Sequence, residues 1–552
     1  MRMDPNMTGR LFNRLGGLLT AVAASLVLGC GSNNSPATSQ TAAERTAIDG
    51  HPTPVGEPMF DPAVQTVAFT EKTARRLESA KPKFDPIAEN GKYFEGWPKP
   101  KLALVISGSQ DGYLEPCGCA GIENQKGGLS RRYSFIKQLE VQGWPVAAVD
   151  VGGLVRRFGR QAELQFNMAA EALKLMNYGA VGFGPADLRL STGEVVAAVA
   201  GEKPEDSIFI SANVSLLDLT PKFRIIEAGG LKLGVTAVLG SEYQQQVNNN
   251  DVTITPAAEA IKSVLGKLKK CDIKILLANA TTEEARALAK QFPEFDLVVE
   301  AGSADIPAAQ PEKIAGTKAR LIELGHKAQY VIVAGFFETR NADQPLAVRF
   351  QRVALDSRYP DAKPMKQLMA NYQSQLQQLG WQELGAKGVP HPRAQKGDPL
   401  SGKFASAASC KECHPTAWGI WNKTDHAHAT ETLVKVDPPR QYDPECISCH
   451  ATGWNPSEFI PYVSGFDSLE KTPQLAGNAC DNCHGPGRAH VAAEKGDDRA
   501  KRDAEREALR LTVDFARDNV CAKCHDHDNS PEFDKPGKFE KEYWPKVEHG
   551  GE

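Results

Sequence analysis

Apolar positions between residues 101 and 355 form short continuous runs, separated by stretches with helical periodicity. This alternation predicts an α/β layered domain with a largely buried sheet. Residues 129–139, and the face that carries Leu164, Met168 and Leu175, predict two of the helices. The predicted strands are residues 102–106, 146–151, 180–183, 208–212, 233–239, 273–277, 297–300 and 330–333.

The pattern changes after this domain. Residues 364–384 predict one more helix, with Leu368, Tyr372 and Leu376 at four-residue steps, which we interpret as a spacer or docking element. Residues 385–403 are rich in Gly, Pro and Lys and predict a domain boundary. The remaining chain lacks long apolar periodicity, so we expect a mainly α-helical and irregular region there.

The first thirty residues have the pattern of an export signal. Arg10 and Arg14 precede an apolar run, residues 15–28, that is too short to span a bilayer comfortably. The run ends at Gly29 and Cys30 and resembles a bacterial lipobox, which implies lipidation of Cys30 and an anchor in a membrane. Cleavage at a nearby site without lipidation is the alternative.

Length and charge limit the remaining choices. A chain of 552 residues exceeds one usual core, and a formal charge of -4 gives no indication of a nucleic-acid partner. The predicted organisation is a signal peptide (1–30), a flexible tether (31–95), the α/β domain (96–356), a helical linker (357–400) and a C-terminal domain (401–552).

The C-terminal domain carries the strongest chemical signal, a Cys-x-x-Cys-His motif that occurs four times. Two such cysteines can form thioethers with one haem, and the adjacent histidine can bind its iron as proximal ligand. Structural zinc is the weaker alternative, because each pair is followed at once by histidine. The motifs are Cys410, Cys413 and His414; Cys446, Cys449 and His450; Cys480, Cys483 and His484; and Cys521, Cys524 and His525.

The surroundings of these motifs resemble the cytochrome c-554-type tetrahaem family of exported electron carriers. The similar segments are residues 410–429, 446–454, 480–490 and 543–550. The resemblance implies four covalently attached c-type haems and a redox partner protein. It also implies that His426, His490 and His549 are candidate distal iron ligands, with His428 next, and that one haem can lack a distal ligand. For His391 and His527 we expect solvated surface positions.

The α/β domain resembles the calcineurin-like metallophosphoesterase domain of 5'-nucleotidase-type enzymes, through residues 127–132, 149–150, 178–182 and 210–213. The metal ligands of that family are not retained. Its Asp-x-His pair is replaced by residues 109–111, its second aspartate loop keeps only Asp150, and its Gly-Asn-His-Glu segment is replaced by residues 182–185. No histidine occurs between His51 and His326, so we expect no ordinary phosphatase activity.

Two features of this domain leave alternatives open. Asp111, Glu115, Asp150 and Asp187 could form an all-oxygen cation site, although we favour solvated loop residues. Cys117 and Cys119, in the first loop after a strand, could form a redox-active disulfide, bind a soft metal or thiol substrate, or be structural.

The remaining candidates lie close to that loop or to a strand. Lys126, Arg131 and Arg132 would favour a thiolate or an anionic ligand, or else would form a solvated helix start. Cys271 is expected to be a buried single thiol.

These patterns together predict an exported multihaem electron-transfer protein on the periplasmic face. Its phosphoesterase-like domain would be a metal-free binding module. One alternative is an oxidoreductase that acts on a small sulfur or nitrogen substrate through Cys117 and Cys119 or an open haem. The other is a nucleotidase-type enzyme with accessory haems.

Overall fold

The computed structural model describes residues 84–117, 121–341, 345–526 and 529–549, and these belong to one compact unit. The predicted signal, the tether up to residue 83, Cys30, Cys119 and His527 lie outside the described residues. No described helix is both long enough and apolar enough to cross a bilayer.

Fifteen strands are present among the described residues. They are β1 Leu102–Ser107, β2 Val146–Asp150, β3 Tyr178–Val181, β4 Val214–Leu216, β5 Phe223–Ala228, β6 Leu231–Leu239, β7 Val252–Ile254, β8 Ile273–Asn279, β9 Leu297–Ala304, β10 Glu312–Lys313, β11 Arg320–Gly325, β12 Tyr330–Glu338, β13 Leu346–Ala354, β14 Trp454–Asn455 and β15 Ile460–Pro461.

Sixteen α-helices are present among the described residues. They are α1 Pro86–Asn90, α2 Leu129–Val141, α3 Arg160–Leu175, α4 Thr192–Val199, α5 Ser241–Gln244, α6 Ala257–Leu268, α7 Thr282–Gln291, α8 Lys363–Glu383, α9 Ala407–Lys411, α10 Pro415–Trp421, α11 Ala429–Lys435, α12 Pro444–His450, α13 Cys480–His484, α14 Arg488–Glu494, α15 Arg499–Leu509 and α16 Val513–Phe515.

Two mixed sheets form the centre of the α/β region. The first has the order β13-β12-β1-β2-β3, and the second has the order β10-β11-β9-β8-β6-β5. In the first sheet β1, β2 and β3 run parallel to one another. Strand β12 runs antiparallel to both of its neighbours, β1 and β13. In the second, β6, β8, β9 and β11 run parallel. The α/β layered class is therefore confirmed.

Strand β1 explains the layering. Leu102, Leu104 and Ile106 pack on residues of the second sheet, whereas Ala103 and Val105 face helices α2 and α3. This alternation follows from the two-residue period of a strand. Helices α6 and α7 cover the other face of the second sheet. The result is an α/β/β/α sandwich in which both faces of each sheet are buried.

Some predicted elements differ from those observed. Residues 208–212 are not a strand, and only Phe209 forms an isolated bridge with Val181. Strands β5 and β13 were not predicted, because they are edge strands whose side chains are largely half-exposed. Helix α8 is not a free spacer, since Met365, Met369 and Leu376 are buried in the core that helix α3 shares.

The C-terminal region has short helices and a small apolar cluster that includes Ile447, Trp454, Phe466 and Leu475. Trp381 of helix α8 packs edge-on against Trp454, with ring centres 4.7 Å apart. The helical and irregular character predicted for this region is confirmed, while the predicted domain boundaries stay predictions.

Candidate functional site

Each Cys-x-x-Cys-His motif adopts a helical turn. The amide of His414 donates to the Cys410 carbonyl at 2.8 Å, and the amide of His525 donates to the Cys521 carbonyl at 2.8 Å. The second motif ends helix α12, and the third forms helix α13. A helical turn places residues three apart on one face, so both cysteines of a motif point to the same side. Two thioethers to one haem require that arrangement.

Three motif histidines lie opposite a second histidine. The ring centres of His414 and His490 are 6.4 Å apart, and those of His484 and His549 are 5.7 Å apart. His525 lies 6.0 Å from His426. Two imidazoles on opposite faces of one iron have ring centres roughly 6 Å apart, because each metal–nitrogen bond is about 2 Å. The three pairs therefore fit a metal ion held between two imidazoles.

The Nδ1 atoms of three motif histidines have hydrogen-bond partners. His450 Nδ1 lies 2.7 Å from the Ala429 carbonyl, His484 Nδ1 lies 2.9 Å from the Leu509 carbonyl, and His525 Nδ1 lies 2.8 Å from the Ser530 hydroxyl. A carbonyl at Nδ1 selects the tautomer with the proton on that atom, which leaves Nε2 to bind a metal. These rings are oriented in the way that haem-binding histidines require.

Two further histidines occupy different environments. His428 is more than half exposed, and its Nδ1 lies 3.3 Å from the Glu431 carboxylate. His391 is half-buried against Phe404 and Tyr462, so its predicted solvated position is wrong. Burial, aided by Arg393 and Lys523, lowers the pKa of His391 to about 4. The Gly- and Pro-rich surroundings of His391 gave no indication of this aromatic contact.

The motifs are close to one another in space. The Cys410 and Cys480 side chains lie close enough for Cys480 to raise the pKa of the Cys410 thiol, so the first and third motifs approach each other at their cysteines. Cys483 of the third motif interacts electrostatically with Cys521 of the fourth. The chain therefore brings its cysteine-rich turns together instead of spreading them along the surface.

The predicted cleft of the α/β region contains a buried polar network. Asp150 is fully buried, accepts a hydrogen bond from Ser107 Oγ at 2.6 Å and pairs with Arg132 at 3.4 Å. Arg132 also donates to Gln110. Arg131 is buried as well and donates to the carbonyls of Gln125 and Ile122. Because both arginines are buried with internal partners, they are not a solvated helix start.

The other predicted acids also have local partners. Asp187 is fully buried and accepts hydrogen bonds from the amides of Gly153, Val155 and Gly184 at 2.8–3.0 Å. The expected solvation is therefore wrong for Asp150 and Asp187. Burial raises the pKa of Asp187 to about 7, against the effect of these amides.

Asp111 and Glu115 are only partly covered. The Asp111 carboxylate accepts a hydrogen bond from the Lys327 amide, and Glu115 pairs with Arg440. Among the described residues, no group of three or more His, Cys, Asp or Glu side chains is arranged to hold a metal ion.

Backbone loops fill the space at the centre of this edge. A Cβ added to Gly184 would lie 2.6 Å from the Gly153 Cα, and one added to Gly152 would lie 2.6 Å from the Gly182 carbonyl carbon. Gly152 and Gly153 have positive φ angles of 92° and 78°, which favour glycine. The loops after β2 and β3 therefore approach each other so closely that neither Gly152 nor Gly184 has room for a side chain.

Cys117 lies in the loop after β1 and is partly exposed, close enough to Cys446 of the second motif to interact with it electrostatically. Lys126 lies with its Nζ 5.5 Å from the Tyr330 ring centre. Cys271 is buried, as expected. The sequence contained no indication that Cys117 would be near a haem motif, because the two are more than three hundred residues apart.

Comparison with known proteins agrees with the motif geometry. Residues 409–485 match the family model described as cytochrome c554 and c-prime. The C-terminal region, called the cytochrome region, is therefore similar to c-type cytochromes. A curated relative, cytochrome c-554 of Nitrosomonas europaea, is 27% identical over 147 residues, which cover 23% of this chain and 60% of the relative. A c-type cytochrome carries covalently bound haem, and Cys410, Cys446 and Cys480 lie within the matched residues.

Solved structures similar to this chain include the 5'-nucleotidase precursor of Thermus thermophilus (TM-score 0.42, 16% identity, 52% of this chain and 60% of that one). Another is the sulfate thiohydrolase SoxB of Thermus thermophilus in complex with glycerol (0.41, 12%, 51% and 62%). A third is the calcineurin-like phosphoesterase YfkN of Bacillus subtilis (0.39, 14%, 50% and 97%). Likeness at this level assigns no activity to this chain.

Proposed function

We propose that this chain is an exported tetrahaem c-type cytochrome that transfers electrons to or from a redox partner protein. The observation that carries the proposal is the set of three histidine pairs, with ring centres 5.7 to 6.4 Å apart. An iron with two imidazole ligands has no free face for substrate and suits electron transfer. His490, His549 and His426 would thus hold the haems of His414, His484 and His525 together with those motif histidines.

The closeness of the motifs supports transfer along the chain of haems. Cys410 of the first motif lies near Cys480 of the third, and Cys483 of the third lies near Cys521 of the fourth, so the thioether edges of these three haems would be neighbours. The bound groups would supply one-electron chemistry, and the protein residues would hold them in place and exclude water.

A redox titration of the purified holoprotein tests this proposal. We expect four haems per chain by pyridine haemochrome absorbance, and low-spin spectra from at least three of them. His490→Ala should convert one low-spin haem to a form that binds carbon monoxide, whereas His428→Ala should not. A protein without c-type absorbance bands, or one with no spectral change in His490→Ala, would contradict the proposal.

We further propose that the phosphoesterase-like region is a binding module without resident metals. The support is the contact between the loops at Gly153 and Gly184, together with the Arg132–Asp150 pair that occupies the adjacent carboxylate. Hydrolysis of a nucleotide monophosphate with added Mn²⁺ tests this. Turnover that disappears in Asp150→Asn would instead support the nucleotidase alternative.

A second candidate function is an oxidoreductase that acts on a small sulfur or nitrogen substrate. The proximity of Cys117 to Cys446 favours it, because electrons from a thiol substrate would have a short route to a haem. Anaerobic addition of such a substrate should reduce the haems in the native protein and more slowly in Cys117→Ser with Cys119→Ser. Equal rates would remove the cysteines from the mechanism.

The chain is proposed to reach the periplasmic face through its signal segment, with a lipid anchor at Cys30. Radiolabelled palmitate should be incorporated into the native protein and not into Cys30→Ser. Release of Cys30→Ser into the soluble periplasmic fraction, with unchanged haem content, would agree with anchoring. Retention in the membrane fraction would contradict it.

A further inference from the structure

The second haem motif is docked on the carboxyl edge of the first sheet. Glu115 follows strand β1, while Arg157 and Gln161 follow strand β2, so all three lie beyond the carboxyl ends of parallel strands. Ligands in sheets of this kind gather at that edge. In this chain the residues that reach it from the cytochrome region include Arg440, Asp443 and Glu445.

Three sets of contacts connect the two sides. Arg440, which is almost fully buried, makes a two-pronged ion pair with Glu115, with Nη2 2.7 Å from Oε2. Asp443 accepts hydrogen bonds from Gln161 at 2.8 Å and from Gln373 at 3.2 Å. These contacts come from a loop, from helix α3 and from helix α8, so the motif is held from three directions.

Asp443 is the centre of this junction. Its Oδ1 also accepts the Glu445 amide at 3.0 Å and thereby caps helix α12, which carries Cys446, Cys449 and His450. Every hydrogen bond to its carboxylate named above comes from an N–H group, which is the environment of an ionised carboxylate. Burial raises the pKa of Asp443, and the three donors oppose that rise because they bind the charged form.

The charge of Asp443 lies close to the haem attachment point. The Cys446 thiol interacts electrostatically with Asp443 most strongly, and less strongly with Cys117, Glu115 and Glu445. A buried negative charge near a haem favours the ferric state, which carries one more positive charge than the ferrous state. The effect is stronger in a buried site than in water, because less solvent screens it.

We propose that Asp443, held by Gln161 and Gln373, is a positioning residue that lowers the reduction potential of the haem carried by Cys446, Cys449 and His450. The α/β region thus contributes side chains to the surroundings of one haem. That haem would lie at the carboxyl edge of the first sheet. This inference rests on the proposed tetrahaem function.

Potentiometric titration of the holoprotein with spectral resolution of the four haems tests the inference. In Asp443→Asn we expect the reduction potential of one haem to rise. Its ferrous-to-ferric ratio at fixed ambient potential should increase about threefold to tenfold, and tenfold equals about 59 mV for one electron. Asp443→Glu keeps the charge and should restore most of the native potential.

Two further variants separate the charge from the scaffold. Gln161→Met with Gln373→Met removes both side-chain donors and keeps the carboxylate, so no upward shift is expected at alkaline pH, where Asp443 stays ionised without them. A purely structural role would move this variant and Asp443→Asn in the same direction. The matched control is Asp467→Asn, an exposed carboxylate in the same region that pairs with Lys471 at 2.9 Å, and it should leave all four potentials unchanged.

The outcomes also distinguish this inference from the proposed function. A preparation without haem bands would overturn both. Four titrating haems with equal potentials in Asp443→Asn and Asp467→Asn would overturn the inference alone. If Asp443→Asn loses one haem, Asp443→Glu decides the question. An unshifted reduction potential in Asp443→Glu supports the charge effect, and a shifted potential contradicts it.

Discussion

The α/β region and the cytochrome region reach a folded state by different means. The first buries long apolar strands such as β1 and β8 between layers of helices. The second has a small apolar cluster around Ile447 and Trp454, and its cysteines and histidines converge. A small apolar core cannot offset the entropy of an ordered chain, so a bound cofactor must supply the missing burial. This difference predicts that loss of haem destabilises the cytochrome region, whereas loss of core contacts destabilises the α/β region.

The largest effect is expected from loss of haem. In protein produced without haem attachment, the cytochrome region should lose its cooperative fold while the two large sheets remain intact, because their core is independent of the cofactor. Limited proteolysis followed by mass spectrometry should yield a resistant fragment that contains β1 to β13. Equal resistance of both regions to proteolysis in the haem-free protein would contradict this prediction.

A core truncation tests the α/β side of the comparison. Phe135 is 1% exposed and packs against the ring of Tyr359 at 5.3 Å. Phe135→Ala should lower the free energy of unfolding by about 3–5 kcal/mol, since it removes buried contacts and leaves a cavity. The exposed Phe515 in the cytochrome region is the control, and Phe515→Ala should change stability by less than about 0.5 kcal/mol. Urea unfolding curves measure both.

Disruption of the buried ion pair should lower the free energy of unfolding by an amount comparable to that of the core truncation. Arg132→Met leaves the fully buried carboxylate of Asp150 without its charged partner, which costs about 3–5 kcal/mol. The double variant with Asp150→Asn should recover part of the loss, because no charge remains unpaired. Denaturant titrations of the single and double variants measure the coupling, and an additive double variant would argue against a direct pair.

Asp187 gives the α/β region a specific pH dependence. In the unfolded chain its carboxyl ionises near pH 4, whereas burial raises the folded pKa to about 7. Between these values the folded state holds more protons, so the free energy of unfolding falls as pH rises, by about 1–3 kcal/mol. Asp187→Asn should flatten this slope, and the exposed Asp251→Asn should not. Unfolding curves across this pH range measure the difference.

The smallest effect is expected at the surface. Arg286 and Glu312 form a two-pronged pair at 2.9 and 3.1 Å, at a site where water competes for both groups. Arg286→Ala should change stability by at most about 1 kcal/mol. A loss as large as that of Phe135→Ala by the same urea measurement would mean that this surface pair contributes as much to stability as a core side chain.

The haem motifs could be predicted from the sequence because their chemistry is local. Cysteines three positions apart, followed by histidine, define an attachment site without reference to the rest of the chain. The continuous apolar runs of β1, β6 and β8 predicted central strands for a similar reason, since both faces of these strands are buried. Edge strands such as β5 and β13 escaped prediction because half-exposed positions carry a weaker apolar pattern.

The tertiary structure decided the long-range pairings. His426 lies opposite His525, Asp443 receives Gln161 and Gln373, and Arg132 is buried with Asp150, although sequence context had suggested solvated arginines. Local spacing determines which group a segment can bind. Packing alone determines which distant side chains share that environment, because a contact between remote residues depends on how whole layers stack.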